Sequence, residues 1–282
     1  MSENLERKVY WLASYPKSGN TWVRMFLDCY VTGFPVKFSS AYKYVQLDHD
    51  MGMMQLVSAQ PRNELTLEYQ FMYHSAVIAN LLTCAKTKDI VVKTHNAKIT
   101  VSGMPLIPTP ISGGAIYIVR DPRDVVISYS HHLNKSIDET IEIMANEQHA
   151  ATSRETSLFH IMSTWSMHVQ SWMQLNVDIP VAIVKYEDLL ENPDPMFRNI
   201  LRSLGVTEID EEMFQFALKQ TTFKNLSELE DKQGFIERSD VSKEKFFRVG
   251  KAKQWQTQLL SHQADAIFNT HADAMKLAGY IM

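Results

Sequence analysis

Four short apolar runs, at residues 9–14, 90–95, 115–120 and 181–186, set what this chain can fold into. Each is rich in β-branched residues and continuously apolar rather than alternating, so both faces of each strand are expected to be buried. A parallel sheet covered by helices on both sides meets that demand. Apolar residues three or four apart fill the intervals and predict helices over 21–30, 124–133, 137–147, 156–175, 196–204, 211–219 and 256–276. Asp194 and Asp210 stand where N-caps are expected. The expected fold class is therefore α/β and three-layer, a central parallel sheet flanked by helices. Residues 36–75, rich in Tyr, Met and Gln, and residues 227–250, dense in charge, resist this reading and look like loops or lids over a site. No repeat or low-complexity linker interrupts the 282 residues, so a single domain over 1–282 is expected.

Charge and cysteine content exclude several functions. Lys plus Arg is 28 against Asp plus Glu 32, a net −4, which argues against a nucleic-acid partner. Cys29 and Cys84 both sit in apolar segments and are expected to be two buried thiols rather than a disulfide. No CxxC, HExxH or Cys/His cluster is present, so no metal is expected. The N-terminal residues lack the apolar core of a signal peptide, and no run reaches the ~18 apolar residues of a membrane helix. A cytoplasmic protein with no membrane partner is the expectation.

Three strand ends carry chemistry. The first run passes into Tyr15-Pro16-Lys17-Ser18-Gly19-Asn20-Thr21-Trp22 and then a helix. Gly19 permits a tight turn, the helix N-terminus and its N–H groups favour an anion, and Lys17, Ser18 and Thr21 add a charge and hydroxyls. Taken alone the loop also fits a glycine turn with an exposed lysine. It is not a Walker A loop, because the Lys precedes the Gly. The second run ends in Lys93-Thr94-His95, whose i, i+2 spacing puts Lys93 and His95 on one face. His95 there is a candidate general base or a packed strand-end group. The third ends in Arg120, with Ser128 eight residues on, a second anion site. Arg123 and Asp121 read as a local ion pair. Ligands of open parallel sheets lie beyond the carboxyl ends of the strands, where all three cations fall.

Together these motifs resemble the sulfotransferase family that uses 3′-phosphoadenosine-5′-phosphosulfate (PAPS), in its cytosolic-type branch, and a bacterial member is expected. Tyr186-Glu187-Asp188-Leu189, Asn192-Pro193, Thr221-Thr222-Phe223 and Arg248-Val249-Gly250 extend the likeness over most of the chain. The resemblance implies the P-loop-kinase-like sulfotransferase fold and transfer of a sulfuryl group from PAPS, leaving 3′,5′-ADP, with no metal. It implies that Lys17 stabilises the bridging oxygen, Lys93 the sulfonate, and that His95 takes the acceptor's proton. Ser18, Gly19, Asn20 and Thr21 would hold the 5′-phosphate, and Trp22, Tyr186, Thr222 and Phe223 would surround the adenine. Arg120 and Ser128 would bind the 3′-phosphate, with Arg248 and Gly250 closing over it. Asn20 stands where many animal members have Thr, and an amide donor is expected to serve as well. Val249 replaces a basic residue, for which Lys251 or Lys253 is a candidate substitute. A kinase of related fold and a non-catalytic nucleotide-binding module are the competing readings.

The acceptor is expected to be a small aromatic or lipophilic molecule bearing a hydroxyl. Phe38, Tyr42, Tyr73, His74 and His132 are the candidates to line its pocket. Trp165, Met167 and Trp172 form a stripe that reads as core. A monomer and a homodimer are both compatible with the sequence.

Overall fold

A computed structural model describes residues 7–38, 44–49, 51–58, 60, 64–151, 158–174, 178–235, 237–238, 241 and 244–282. Five strands form one parallel sheet: β1 (Val9–Ser14), β2 (Val45–Leu47), β3 (Ile90–Thr94), then, after a small hairpin of β4 (Thr100–Val101) and β5 (Met104–Pro105), β6 (Ser112–Val119) and, further on, β9 (Val181–Lys185). Between β6 and β9 a second small ribbon pairs β7 (Ala150–Ala151) with β8 (His160–Ile161). The order in the large sheet is β2-β3-β1-β6-β9. The chain therefore winds outward from β1 to one side, returns, and continues on the other, which makes the carboxyl end of β1 the topological switch point. The four runs predicted as strands are strands, and all pair in parallel.

Helices cover both faces. On one side lie α1 (Asn20–Thr32), α8 (Pro193–Ser203) and α9 (Glu211–Gln220), whose Phe26, Phe197 and Phe214 are fully buried against Leu12, Ile116 and Ile118. On the other lie α3 (Leu67–Cys84), α4 (Pro122–Leu133), α6 (Trp165–Met173) and α12 (Ser261–Leu277), packed on Trp11, Tyr117 and Val119. The shorter α2 (Met51–Val57), α5 (Ile137–Ala145), α7 (Tyr186–Glu191), α10 (Phe223–Gln233) and α11 (Trp255–Gln258) complete the chain. The non-alternating runs β1, β3 and β6 are almost wholly buried, but the edge strand β9 is only half-buried and leaves Ile183 exposed, a correction to the expectation for the fourth run.

Several expectations are corrected. The described residues of 36–75 are not simply a loop: they include β2, α2 and the first half of α3, which starts at the Thr66 cap. The 156–175 helix begins only at Trp165, because Thr164 caps it and His160–Ile161 is drawn into the ribbon. The 256–276 helix breaks at Leu259–Leu260. Asp210 caps α9 through the Met213 N–H, but Asp194 lies inside the first turn of α8 and pairs with Arg198 at 2.7 Å. Both thiols are free, yet Cys84 is exposed at the end of α3 while Cys29 is buried. Trp165 and Trp172 are core, but Met167 faces outward, since a third position on a one-sided helix must.

Phe197 stacks on Phe26 at 4.0 Å and meets Trp22 edge-on at 5.4 Å, joining α8 to the helix that begins at the switch point. Phe197→Ala is expected to cost about 3–5 kcal/mol of stability, read as a shift of the urea midpoint at unchanged slope.

Candidate active site

Each strand of the large sheet delivers at least one candidate functional side chain at its carboxyl end. Lys17 follows β1, His49 follows β2, Lys93 and His95 close β3, Arg120 follows β6 and Tyr186 follows β9. All six line one cavity of about 370 Å³.

The loop after β1 is built around two left-handed residues, Lys17 (φ 63°) and Gly19 (φ 100°). A Cβ on Gly19 would lie 2.6 Å from the Tyr186 ring, so only glycine fits there. Arg120 Nη1 donates to the Lys17 carbonyl at 3.0 Å and Nη2 to Lys251 at 3.3 Å, and the guanidinium lies over Tyr186 at 4.4 Å. Among the described residues, Ser18 Oγ, Arg120 Nε and the Asn20 Oδ1 acceptor are buried in this corner without a partner. Ser128 lines the cavity beside them. Asn20 departs from expectation: its Nδ2 donates inward to Leu12 O (3.0 Å) and Ser14 Oγ (3.3 Å), so the side chain braces the loop and only its backbone N–H remains for a ligand.

Lys17 Nζ lies 3.6 Å above the Phe246 ring. Burial pushes its pKa down to about 7, with Glu237 opposing and Arg120 reinforcing the shift. Burial likewise brings Lys93 down to about 8. Glu237, which the sequence did not single out, reaches over both. Its carboxylate accepts from Thr21 Oγ1 at 2.9 Å and from the fully buried Arg24, and despite its burial the charges of Arg24 and Lys93 hold it at about 2.

His95 is oriented by its backbone neighbours. Its Nδ1–H donates to the Ser14 carbonyl at 2.7 Å, which leaves Nε2 with its lone pair. Burial and then Lys93 push its pKa well below the usual imidazole value. Behind it, Tyr117 O–H donates to His168 Nδ1 (2.9 Å), and His168 Nε2–H donates to the His95 carbonyl (3.2 Å). His49 and His160 share the wall with His95, and Tyr129 and Met162 also line it.

Trp22, Phe223, Arg248 and Gly250 line the opposite end. A Cβ on Gly250 would sit 2.2 Å from the Phe223 ring, so the Gly250 backbone packs directly against that ring. Thr222 is exposed and outside the lining, and it fixes Phe223 by capping α10. Asp124 anchors the following segment through the N–H groups of Lys253 (2.6 Å) and Trp255 (3.0 Å). The side chains of Lys251 and Lys253 are exposed and do not line the cavity, so neither replaces the base missing at Val249. Arg123 pairs with Asp121 at 2.7 Å, as expected. Of the acceptor-side candidates, His132 lines the cavity, whereas Phe38 packs on Phe235 (4.4 Å), Tyr73 on Tyr69, and His74 Nε2–H donates to the Leu106 carbonyl inside the core. Tyr42 lies outside the described residues.

A family model described as the sulfotransferase domain matches residues 7–279. The chain belongs to the sulfotransferase family. Relatives include the flavonol 3-sulfotransferase of Flaveria bidentis, 21% identical over 96% of this chain and 83% of that protein. Sulfotransferase 1A1 of Rattus norvegicus is 28% identical over 77% of this chain and 66% of its own. Mouse sulfotransferase SULT7A1, solved with PAP, the 3′,5′-ADP product, superposes with a TM-score of 0.64 at 17% identity over 97% of this chain and 88% of that one. The fold is thus the P-loop-like sulfotransferase fold, and the reaction of the family is transfer of a sulfuryl group from PAPS. Among the described residues no helix is long and apolar enough to cross a membrane, and no group of three His, Cys, Asp or Glu could hold a metal.

An anion beside Lys17 and Lys93 raises both pKa values from their present positions near 7 and 8, so its binding takes up protons. Affinity for PAP is therefore expected to fall as pH rises, by about tenfold or more between pH 6.5 and 8.5. Calorimetric titration in two buffers of different ionisation enthalpy reads the uptake directly. Equal affinity at both pH values, with no buffer dependence, would contradict it.

Proposed function

We propose that the chain is a PAPS-dependent sulfotransferase acting on a small molecule with a hydroxyl group, with His95 as the general base. The observation that carries this reading is the convergence of Lys17, Arg120 and the unprotonated Nε2 of His95 on one cavity. Apolar layers on both faces of one sheet support reading residues 1–282 as a single domain.

The residues fit the nucleotide. Ser18 Oγ and Arg120 Nε are buried polar atoms in want of a partner, which phosphate oxygens supply. The Glu237 carboxylate, received by Thr21 and Arg24, stands in for two oxygens of such an anion. PAPS, when bound, supplies the sulfuryl group and a good leaving group. The N–H groups from Ser18 to Thr21, at the start of α1, hold the 5′-phosphate. Arg120 and Ser128 hold the 3′-phosphate, with Arg248 and the Gly250 backbone closing over it. Trp22, Tyr186 and Phe223 flank the adenine, and Thr222 acts on it through Phe223.

Sulfuryl transfer, like phosphoryl transfer, needs charge stabilisation and alignment more than covalent chemistry. Lys17 neutralises the bridging oxygen as it takes up negative charge, and its lowered pKa lets it also deliver a proton there. Lys93, on the same strand face as His95, faces the oxygens of the transferring group. His95 Nε2 accepts the acceptor's proton, and the Ser14 carbonyl steadies the imidazolium that results. Leu47, Met162 and Phe247 give the acceptor's body an apolar bed, which suits an aromatic or lipophilic molecule.

His95→Ala is expected to lower kcat by about 10²–10⁴ while PAP affinity stays within about threefold. Arg120→Ala should do the reverse, weakening PAP binding and sparing 5′-AMP binding. Thermal shifts with 3′,5′-ADP, ATP and 5′-AMP test the nucleotide assignment, and equal shifts with all three would refute it.

A further inference from the structure

Two residues that follow the edge strand β2 are not used by the reaction outlined above: His49 lines the cavity, and Asp48 lies buried behind it. Asp48 is wholly buried, and both of its oxygens are occupied. Oδ1 receives His49 Nδ1–H at 2.8 Å, while Oδ2 receives Asn96 Nδ2 at 2.9 Å and the hydroxyl of Thr94. Burial opposes ionisation of Asp48, but the His49 hydrogen bond outweighs it and holds the carboxyl well below the usual range. Asn96 in turn accepts from Ile161 N at 2.8 Å, which fixes the strand that bears His160. One carboxylate thus sets the positions of His49, of the residues flanking His95, and of His160.

This arrangement fixes protons as well as rings. Because His49 gives its Nδ1–H to Asp48, its Nε2 presents a lone pair, as His95 Nε2 does. The His160 ring lies 4.7 Å from His49 and 6.3 Å from His95, and its Nδ1 is buried with no hydrogen-bond partner. Burial and Lys93 keep His49 neutral, and burial and His49 keep His160 neutral. An acceptor with a single hydroxyl satisfies His95 and leaves His49 and His160 desolvated without partners, which is costly. A carboxylate would set lone pairs against the lone pair of His49. A second hydroxyl meets the need.

We infer that the acceptor is a neutral molecule with two neighbouring hydroxyls, a catechol or vicinal diol, in which one is sulfated at His95 and the other is bound by His49 Nε2 beside His160. The inference rests on the sulfotransferase reading and deepens it. His49 is a specificity-determining residue, and Asp48 is the residue that positions it.

The test uses the full chain saturated with PAP and two matched probe pairs, catechol with phenol and cis-1,2-cyclohexanediol with cyclohexanol. Dissociation constants come from calorimetry, and kcat/KM from initial rates with PAPS. The diol of at least one pair is expected to bind about tenfold tighter or more and to react with a correspondingly higher kcat/KM. His49→Phe, which keeps a ring but removes the acceptor nitrogen, should bring the ratio close to one. His49→Gln, with a carbonyl oxygen in its place, should restore part of it. PAP affinity in each variant reports that the fold is intact. No diol preference in the wild type, including no binding of either probe, or a preference that survives His49→Phe, overturns this inference alone. Failure of the wild type to bind PAP overturns the sulfotransferase reading and this inference with it.

Discussion

Lys17, Lys93, Arg24 and Arg120 are gathered at one edge of a sheet, and Arg24 is fully buried there. Positive charges desolvated together repel one another, and the rest of the site is arranged around that repulsion. The two lysines respond by losing proton affinity. Glu237 responds by reaching from the far end of the chain to receive Arg24 and Thr21. Phe246 adds a ring face under Lys17. A chain with net charge −4 thereby presents a cationic cleft, and an incoming polyanion finds counter-charges already placed, with the Glu237 carboxylate to displace. The scaffold that sustains this is apolar on both faces of the sheet, and the Asp124 carboxylate, bound to two backbone N–H groups, ties down the segment bearing Arg248 and Gly250.

How much of this was legible follows from how local each signal is. Strands β1, β3, β6 and β9 were readable because each is a run of five or more residues whose apolarity does not alternate. Strand β2 has three residues with Gln46 in the middle, too short and too mixed to stand out. Missing it meant missing Asp48 and His49, which stand beside His95 only because β2 pairs with β3. His160 belongs to a two-residue strand set by pairing with Ala151 and by Asn96, and no periodicity reports such contacts. Glu237 meets Arg24 across 213 residues, in a region whose charge density reads as solvated surface. Arg24 itself sits on a helix where an arginine suggests exposure, and it is buried because Glu237 pairs with it.

Polar residues near the anion corner divide into those that face a ligand and those that hold the backbone, and residue type does not separate them. Asn20 has the chemistry of a phosphate donor but spends both amide hydrogens on β1, keeping the turn at Gly19 shut. Asp121 pairs with Arg123 and caps α4 through the Arg123 N–H. Ser18 Oγ and Arg120 Nε, by contrast, are buried donors left unfilled among the described residues, whereas the unfilled atom of Asn20 is its acceptor Oδ1. Unsatisfied polar atoms beside an occupied framework are the sharper marker of where a ligand belongs.

Under the proposed reaction, the same distinction bears on which histidine would take the proton. His95 and His49 both donate Nδ1–H and both present Nε2, but His49 leans on a carboxylate and His95 on a neutral carbonyl, so basicity alone would favour His49. Position favours His95. Its hydrogen bond goes to Ser14, three residues before Lys17, so the proton acceptor and the loop that carries the leaving group move as one unit. The carbonyl of His95 is held in turn by His168, itself fixed by Tyr117 of the strand that ends at Arg120. His49 follows the three-residue edge strand, and among the described residues its ring is bonded to Asp48 rather than to the loop. In-line transfer rewards alignment of base, acceptor and leaving group to within fractions of an ångström, and a base rigidly joined to the leaving-group loop meets that demand where a more basic but separately mounted one does not.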